Sequence, residues 1–214
     1  MITDIHSHTL GNNTSEKIIS LCMRDCETEL FLNAKNISVG IHPWYLTEYD
    51  IDKQIKWVSD IAEKDKRVAA IGECGTDSVC STPMDIQISA FTAMIKISEE
   101  LKLPLIIHSV KTLNNIISLK NQLKPTQKWI IHGFRGKKEA AVQLASHGIF
   151  ISLGEKFNKN SLEYIPTQKL LIETDESTIP INKIAENLAS SINIKTEELI
   201  KIVSENANIL FFNR

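Results

Sequence analysis

Three observations predict an α/β chain folded as one (β/α)8 TIM barrel with its early helices shortened or missing. Eight short runs of apolar, largely β-branched residues recur along the 214 residues. Amphipathic helical stripes fill most of the later intervals. The length falls below the ~250 residues usual for this fold, and the deficit sits in the first two intervals.

The first two runs cover 2–5 and 17–21, and only residues 9–16 lie between them, too few for a full crossover helix. Interval 22–36 is polar and weakly periodic. The third and fourth runs (37–41 and 68–71) flank a stripe of Ile51, Ile55, Val58 and Ala62, spaced as one helix face. Met84, Ile88, Phe91 and Ile95 repeat that stripe before the fifth run (105–107), with Pro83 suited to the first helical position after Thr82. The sixth run is 129–131. Ala140, Ala141, Leu144 and Ala145 then share a face ahead of Gly148, a helix-ending residue, and runs at 149–151 and 170–172 complete the eight. Two closing helices are predicted, over 181–192 and over 197–210 behind a Thr196 cap. Continuous apolarity over three to five residues suits strands buried on both faces, as in a parallel sheet. With no linker or repeat, residues 1–214 read as one domain.

Lys plus Arg number 24 and Asp plus Glu 26, so the net charge is 24 − 26 = −2. The chain lacks the global basic excess of many nucleic-acid binders. Hydrophobic residues at 43% and charged residues at 23% exclude a disordered chain, a collagen-like repeat and a disulfide miniprotein. The opening residues show neither the basic nor the apolar segment of a secretion signal, and the apolar runs are too short to span a bilayer. Cys22, Cys26, Cys74 and Cys80 match no common zinc or redox spacing. A cytoplasmic protein with reduced thiols and no membrane partner is expected.

The informative side chains cluster at the ends of the runs. Asp4-Ile5-His6-Ser7-His8 closes the first, and residues two apart on a strand share a face, so both imidazoles can reach one cation. His42 follows the third run, Glu73 the fourth, His108 the fifth, His132 the sixth, and Glu173-Thr174-Asp175 the eighth. Five of the six histidines fall at such ends; His147, late in a helix, reads as solvent-facing or as a carbonyl cap. Each residue alone suits a satisfied core histidine, a cap or an ion-pair member. Five imidazoles and two carboxylates gathered on one rim would be costly without cations to bind.

The ordered set resembles the TatD family of metal-dependent hydrolases. The motifs are Asp-Ile-His-Ser-His at 4–8, Gly-Ile-His-Pro at 40–43, Gly-Glu-Cys-Gly-Thr-Asp at 72–77, Leu-Pro-Leu-Ile-Ile-His at 103–108, Ile-His-Gly-Phe-Arg-Gly at 131–136 and Glu-Thr-Asp at 173–175. The ending at 205–211 looks like that family's closing helix, and Gln87 and Phe91 match its fourth. The resemblance implies a metal-dependent hydrolase barrel, usually a deoxyribonuclease. It implies His6, His8, Glu73 and Asp175 on one divalent ion, and Glu73 (bridging), His108 and His132 on a second. Two such cations ~3.5–4 Å apart stabilise the attacking and leaving oxygens of a phosphodiester. Glu73 and Asp175 are the expected catalytic residues, with Asp175 orienting or deprotonating the attacking water. His42 is assigned to phosphate contact or ligand orientation, and Asp77 to ligand orientation. Imidazole-rich ligation suits zinc, iron or manganese, and two-metal nucleases also use magnesium.

Departures bear on the substrate. The family's arginine after the fifth-strand histidine is replaced by His108-Ser109-Val110-Lys111, and Arg135 stands near the sixth strand instead. Lys111 and Arg135 are therefore the candidate phosphate contacts, with Lys137, Lys138, Lys156 and Lys159 as further local cations. Trp44, Tyr45 and Phe134 are the few aromatics available for stacking. After Asp175 much of the family's substrate loop is absent, so a short, open rim is expected. DNA, gripped at an end or as a single strand, is the leading substrate. The alternatives are an amidohydrolase-like enzyme acting on a small ester, amide or phosphate, and an inactive barrel serving as a binding module. A polymerase-and-histidinol-phosphatase type also opens with His-x-His, but Gly-x-His-Pro and Glu-Thr-Asp argue against it.

Overall fold

The computed structural model describes residues 3–11 and 14–212. Eight parallel strands close into a barrel in chain order. They are β1 (Asp4–Ser7), β2 (Lys17–Leu21), β3 (Ile37–Val39), β4 (Val68–Asp77), β5 (Leu105–Val110), β6 (Trp129–Ile131), β7 (Phe150–Leu153) and β8 (Leu170–Ile172). Asp4 pairs with Ile172 to join β1 to β8. The expected start of the first strand at Ile2 lies outside the described residues.

The early connections are as short as their sequence implies. Among the described residues, one 3-10 turn (Thr14–Glu16) lies between β1 and β2, and α1 (Glu29–Asn33), one turn long, precedes β3. Thr28 caps α1 by accepting from Phe31 N. Arg67 then seals its C-terminus, donating from Nη1 to Phe31 O and Ala34 O while Asp65 grips its guanidinium at 2.6 Å. From β3 onward come α2 (Ile51–Lys64), α3 (Met84–Leu101), α4 (Leu113–Leu123), α5 (Lys138–Ser146), α6 (Lys159–Leu162), α7 (Ile181–Ser191) and α8 (Thr196–Phe211).

On β2, β5, β6 and β8, neighbouring residues divide between two apolar layers. Leu105, Ile107, Trp129, Ile131, Leu170 and Ile172 pack in one cluster with helix residues such as Phe91, Met94 and Leu144. Ile106, Ile130 and Leu171 belong to the other, with Ile5, Ile18 and α8 residues Leu210 and Phe211. The two-residue period carries the second face forward to His108, His132 and Glu173.

Several boundaries differ from expectation. β4 runs on to Asp77, because Cys74, Gly75, Thr76 and Asp77 keep pairing with β5 beyond the apolar run. That approach needs Gly75, where a Cβ would fall 2.1 Å from His108 O. Pro83 is the residue before α3 rather than its first turn, and Thr196 is the first residue of α8, not its cap. α4 carries no strong sequence signal, since Asn114 and Asn115 are weak helix formers; burial of Ile116 and Ile117 holds it. As expected, His147 caps its helix, contacting Gln143 O at 2.8 Å through Nδ1.

Candidate metal centre

β1 and β8 are stitched together just above the barrel. Asp175 N donates to His6 O and His8 N donates to Asp175 O, so Asp175, in the left-handed region at φ 53°, faces His6 of β1 and His8 just beyond it. Thr174 makes the stitch rigid, donating from N and Oγ1 to the buried carboxylate of Asp4 at 3.0 and 2.7 Å. Burial raises the Asp4 pKa to about 6, although the Thr174 bonds and nearby Lys17 favour its ionised form.

Glu73, held well inside the mouth by β4, is the hub. Its Oε2 lies 3.2 Å from His6 Nε2 and 3.3 Å from His8 Nε2. Asp175 Oδ1 approaches the same nitrogens at 3.8 and 3.6 Å. Its Oε1 faces the other way, 2.8 Å from both His108 Nδ1 and His132 Nε2 and 3.0 Å from His42 Nε2. One carboxylate thus separates two groups of nitrogen and oxygen donors. Sets of three whose ligand atoms fall within 4.8 Å of one another are His6, His8 and Asp175 on one side and His42, Glu73 and His108 on the other, with His6, Glu73 and His132, and His132, Glu173 and Asp175, spanning the two.

The Oε1 histidines are braced from behind. His42 Nδ1 accepts from Trp44 N at 3.1 Å. His108 Nε2 lies 3.1 Å from Asp77 Oδ2, and His132 Nδ1 makes an ionic contact of 3.4 Å with Glu173 Oε1. Asp77 is held by Trp44 Nε1 at 2.7 Å and Val79 N at 2.7 Å, and Gln87 clasps its backbone on both sides. Glu173 accepts from Gly133 N.

The electrostatics follow. Burial opposes charge on Glu73, but the charges of His132 and His6 and bonds from His108 and His132 hold its pKa well below the carboxylate range. Burial also opposes charge on His132, yet Glu73 and Glu173 hold its pKa well above the ordinary imidazole value. His6 is pushed down, chiefly by burial and secondarily by the charge of His132. His8 is raised, because Glu73 and Asp175 outweigh its desolvation.

The residues suit divalent cations. Both ring nitrogens of fully buried His6, Nδ1 of His132 and Oε2 of Glu173 have no hydrogen-bond partner among the described residues. Buried polar atoms left so are costly, and imidazole with carboxylate is the donor set of zinc, iron and manganese.

Of the sequence candidates, His6, His8, His42, Glu73, Asp77, His108, His132 and Asp175 converge here. Arg135 is exposed on the rim and, with Lys156 and Asp175, lines an adjoining cavity of about 280 Å³. Lys111 is exposed in a left-handed turn after β5 and shares none of the cluster's ion pairs among the described residues. Glu173 received no role from the sequence; its signal was the Glu-Thr-Asp motif, read only for its aspartate.

The family model described as TatD related DNase matches residues 27–212. The chain belongs to the TatD family. His6 and His8 precede the matched stretch. A Bacillus subtilis relative named uncharacterized metal-dependent hydrolase YabD is 28% identical over 196 residues, covering 81% of this chain and 76% of that one. The 3'-5' ssDNA/RNA exonuclease TatD of Citrobacter koseri is 30% identical over 149 residues, covering 64% of this chain and 56% of that one. The crystal structure of YjjV, a TatD homologue from Escherichia coli, superposes with a TM-score of 0.83 over 98% of this chain and 97% of that one, at 17% identity. The chain is therefore a TatD-family metal-dependent hydrolase on the expected barrel. Among the described residues, no helix is long and apolar enough to cross a membrane.

Proposed function

We propose that this TatD-family hydrolase is a two-metal phosphodiesterase that cleaves DNA, with residues 1–214 working as one catalytic domain. The observation that carries the reading is the division of Glu73, one oxygen toward His6, His8 and Asp175 and the other toward His108 and His132. In it, His6, His8, Glu73 and Asp175 would hold one cation, and Glu73, His108 and His132 the other. Bound there, the pair supplies Lewis acidity toward a phosphoryl oxygen and lowers the pKa of water.

The remaining work falls to side chains. Asp175, at 26% exposure, stands where solvent enters and accepts the proton of the attacking water as the P–O bond forms. The leaving oxygen takes its proton from solvent at the open rim. His42 steadies Glu73, while Asp77 and Glu173 fix the ring orientation of His108 and His132. Arg135 and Lys156 offset phosphate charge, as a chain of net charge −2 requires local cations. A reducing, cytoplasmic setting belongs to this reading, supported by four free thiols.

The test is hydrolysis of DNA, RNA and small phosphoesters in parallel by metal-reconstituted wild type and Asp175→Asn. DNA cleavage lost in the variant is the expected result. Intact DNA beside a hydrolysed small ester would sink the nuclease reading. A small phosphoester is the second reading, favoured by the cavity, which falls just below the ~300–1,000 Å³ usual for ligand pockets.

A further inference from the structure

We propose that Trp44 is a nucleobase platform built into the rim, seating the base next to the scissile phosphate; the proposal rests on the nuclease reading above. The indole is anchored at its polar edge and half exposed. Its Nε1 donates to Asp77 Oδ2 at 2.7 Å, and its backbone N donates to His42 Nδ1 at 3.1 Å. The ring meets His42 edge-on at 4.9 Å and lies 5.9 Å from the ring of His108. Trp44 nevertheless keeps 51% of its surface exposed, whereas Trp129 is fully buried. An aromatic so placed, beside a histidine that itself contacts Glu73, is oriented before any ligand arrives, which lowers the ordering cost of stacking.

The neighbourhood favours a base over another apolar group. Tyr45, 40% exposed, packs on the same His42 ring at 5.4 Å, and the Arg24 guanidinium sits 4.3 Å over the tyrosine ring. A cation beside exposed aromatic rings suits a base joined to a phosphate. The rim cations Arg135 and Lys156 lie in the cavity beside Asp175, so base and backbone would be gripped on different flanks of the mouth. Asp77 Oδ2 is shared between Trp44 and His108, which ties the seat of the ring to the centre. The platform makes the enzyme discriminate between phosphodiesters with and without a flanking base.

The experiment is fluorescence titration of the metal-loaded protein with a hydrolysis-resistant phosphorothioate oligothymidylate, and with an abasic phosphorothioate oligomer of equal length. The expected result is quenching by the first and little by the second, with the change abolished in Trp44→Phe. In steady-state kinetics on DNA, Trp44→Ala should raise KM roughly five- to a hundredfold, while Trp44→Phe, which keeps a ring but loses the Nε1 bond to Asp77, should raise it less. Equal quenching by both oligomers, or equal KM increases in the two variants, overturns the platform. Should Trp44→Ala unfold, the two titrations of the wild type decide. Equal quenching in an enzyme that cleaves DNA sinks the platform alone. An enzyme that cleaves neither DNA nor RNA sinks the nuclease reading, and base-dependent quenching would still support the platform.

Discussion

The two oxygens of Glu73 look onto differently built halves of one site. On the Oε1 side, His42, His108 and His132 are all buried; the far nitrogens of His42 and His108 meet Trp44 N and Asp77 at hydrogen-bond distance, and that of His132 makes a 3.4 Å ionic contact with Glu173. On the Oε2 side, His8 is 35% and Asp175 26% exposed, and buried His6 has no hydrogen-bond partner at either nitrogen among the described residues. The difference divides labour. A braced half keeps ligand geometry constant, as preorganised electrostatics requires. The open half admits water and substrate and can give or take a proton.

The comparison predicts a ranked set of losses. Glu73→Ala, which serves both halves, should reduce hydrolysis to background and lower metal content on both sides, read by elemental analysis. Asp175→Asn should lower kcat by about 10²–10⁴ while the braced half keeps its metal; loss of all metal would show that the halves do not act separately. Asp77→Asn and Glu173→Gln should each cost about 10–100-fold in metal affinity. An unchanged affinity in both would mean that the bracing is only packing.

The metal-free protein sharpens the contrast through pH. The folded-state pKa of His132 is raised, so its contribution to stability is full below the unfolded value near 6.5 and is lost as pH rises through the higher folded value. His6 is lowered, so the unfolded chain binds its proton first and stability falls as pH drops through 6.5 toward the folded value. Chelator-treated protein should therefore gain Tm as pH falls toward 6.5, a gain reduced in His132→Asn to the part that His8, also raised, supplies. Below 6.5, His6→Asn should remove part of the acid loss. Identical profiles in the two variants would break the comparison. The smallest effect belongs to the rim: Arg135→Ala should raise KM about two- to fivefold with kcat held, and a larger kcat effect would place Arg135 inside the catalytic arrangement.

Much of this centre was legible because strand chemistry is local. His6 and His8 share a face through the two-residue period, and His108 and His132 follow apolar runs that could hardly be anything but barrel strands. Asp175 was legible as a residue but not in its setting: it lies beyond β8, held by backbone bonds to His6 and His8. The ten-residue length of β4 was not readable, since Gly72 to Asp77 is apolar only in part and its pairing with β5 sustains it. Glu173 escaped because its partner, His132, is forty-one positions away, and only barrel closure puts the one behind the other.

By itself, the sequence determined the barrel, its trimmed early helices and the donor types at the strand ends, because periodicity, run length and residue chemistry act within a few positions. Tertiary structure alone decided which oxygen of Glu73 each histidine faces, and which histidines are braced. It also decided that Trp44 would be anchored by Asp77 while staying half exposed. Those relations depend on distances between strands far apart in the chain, and such distances exist only once the barrel has closed.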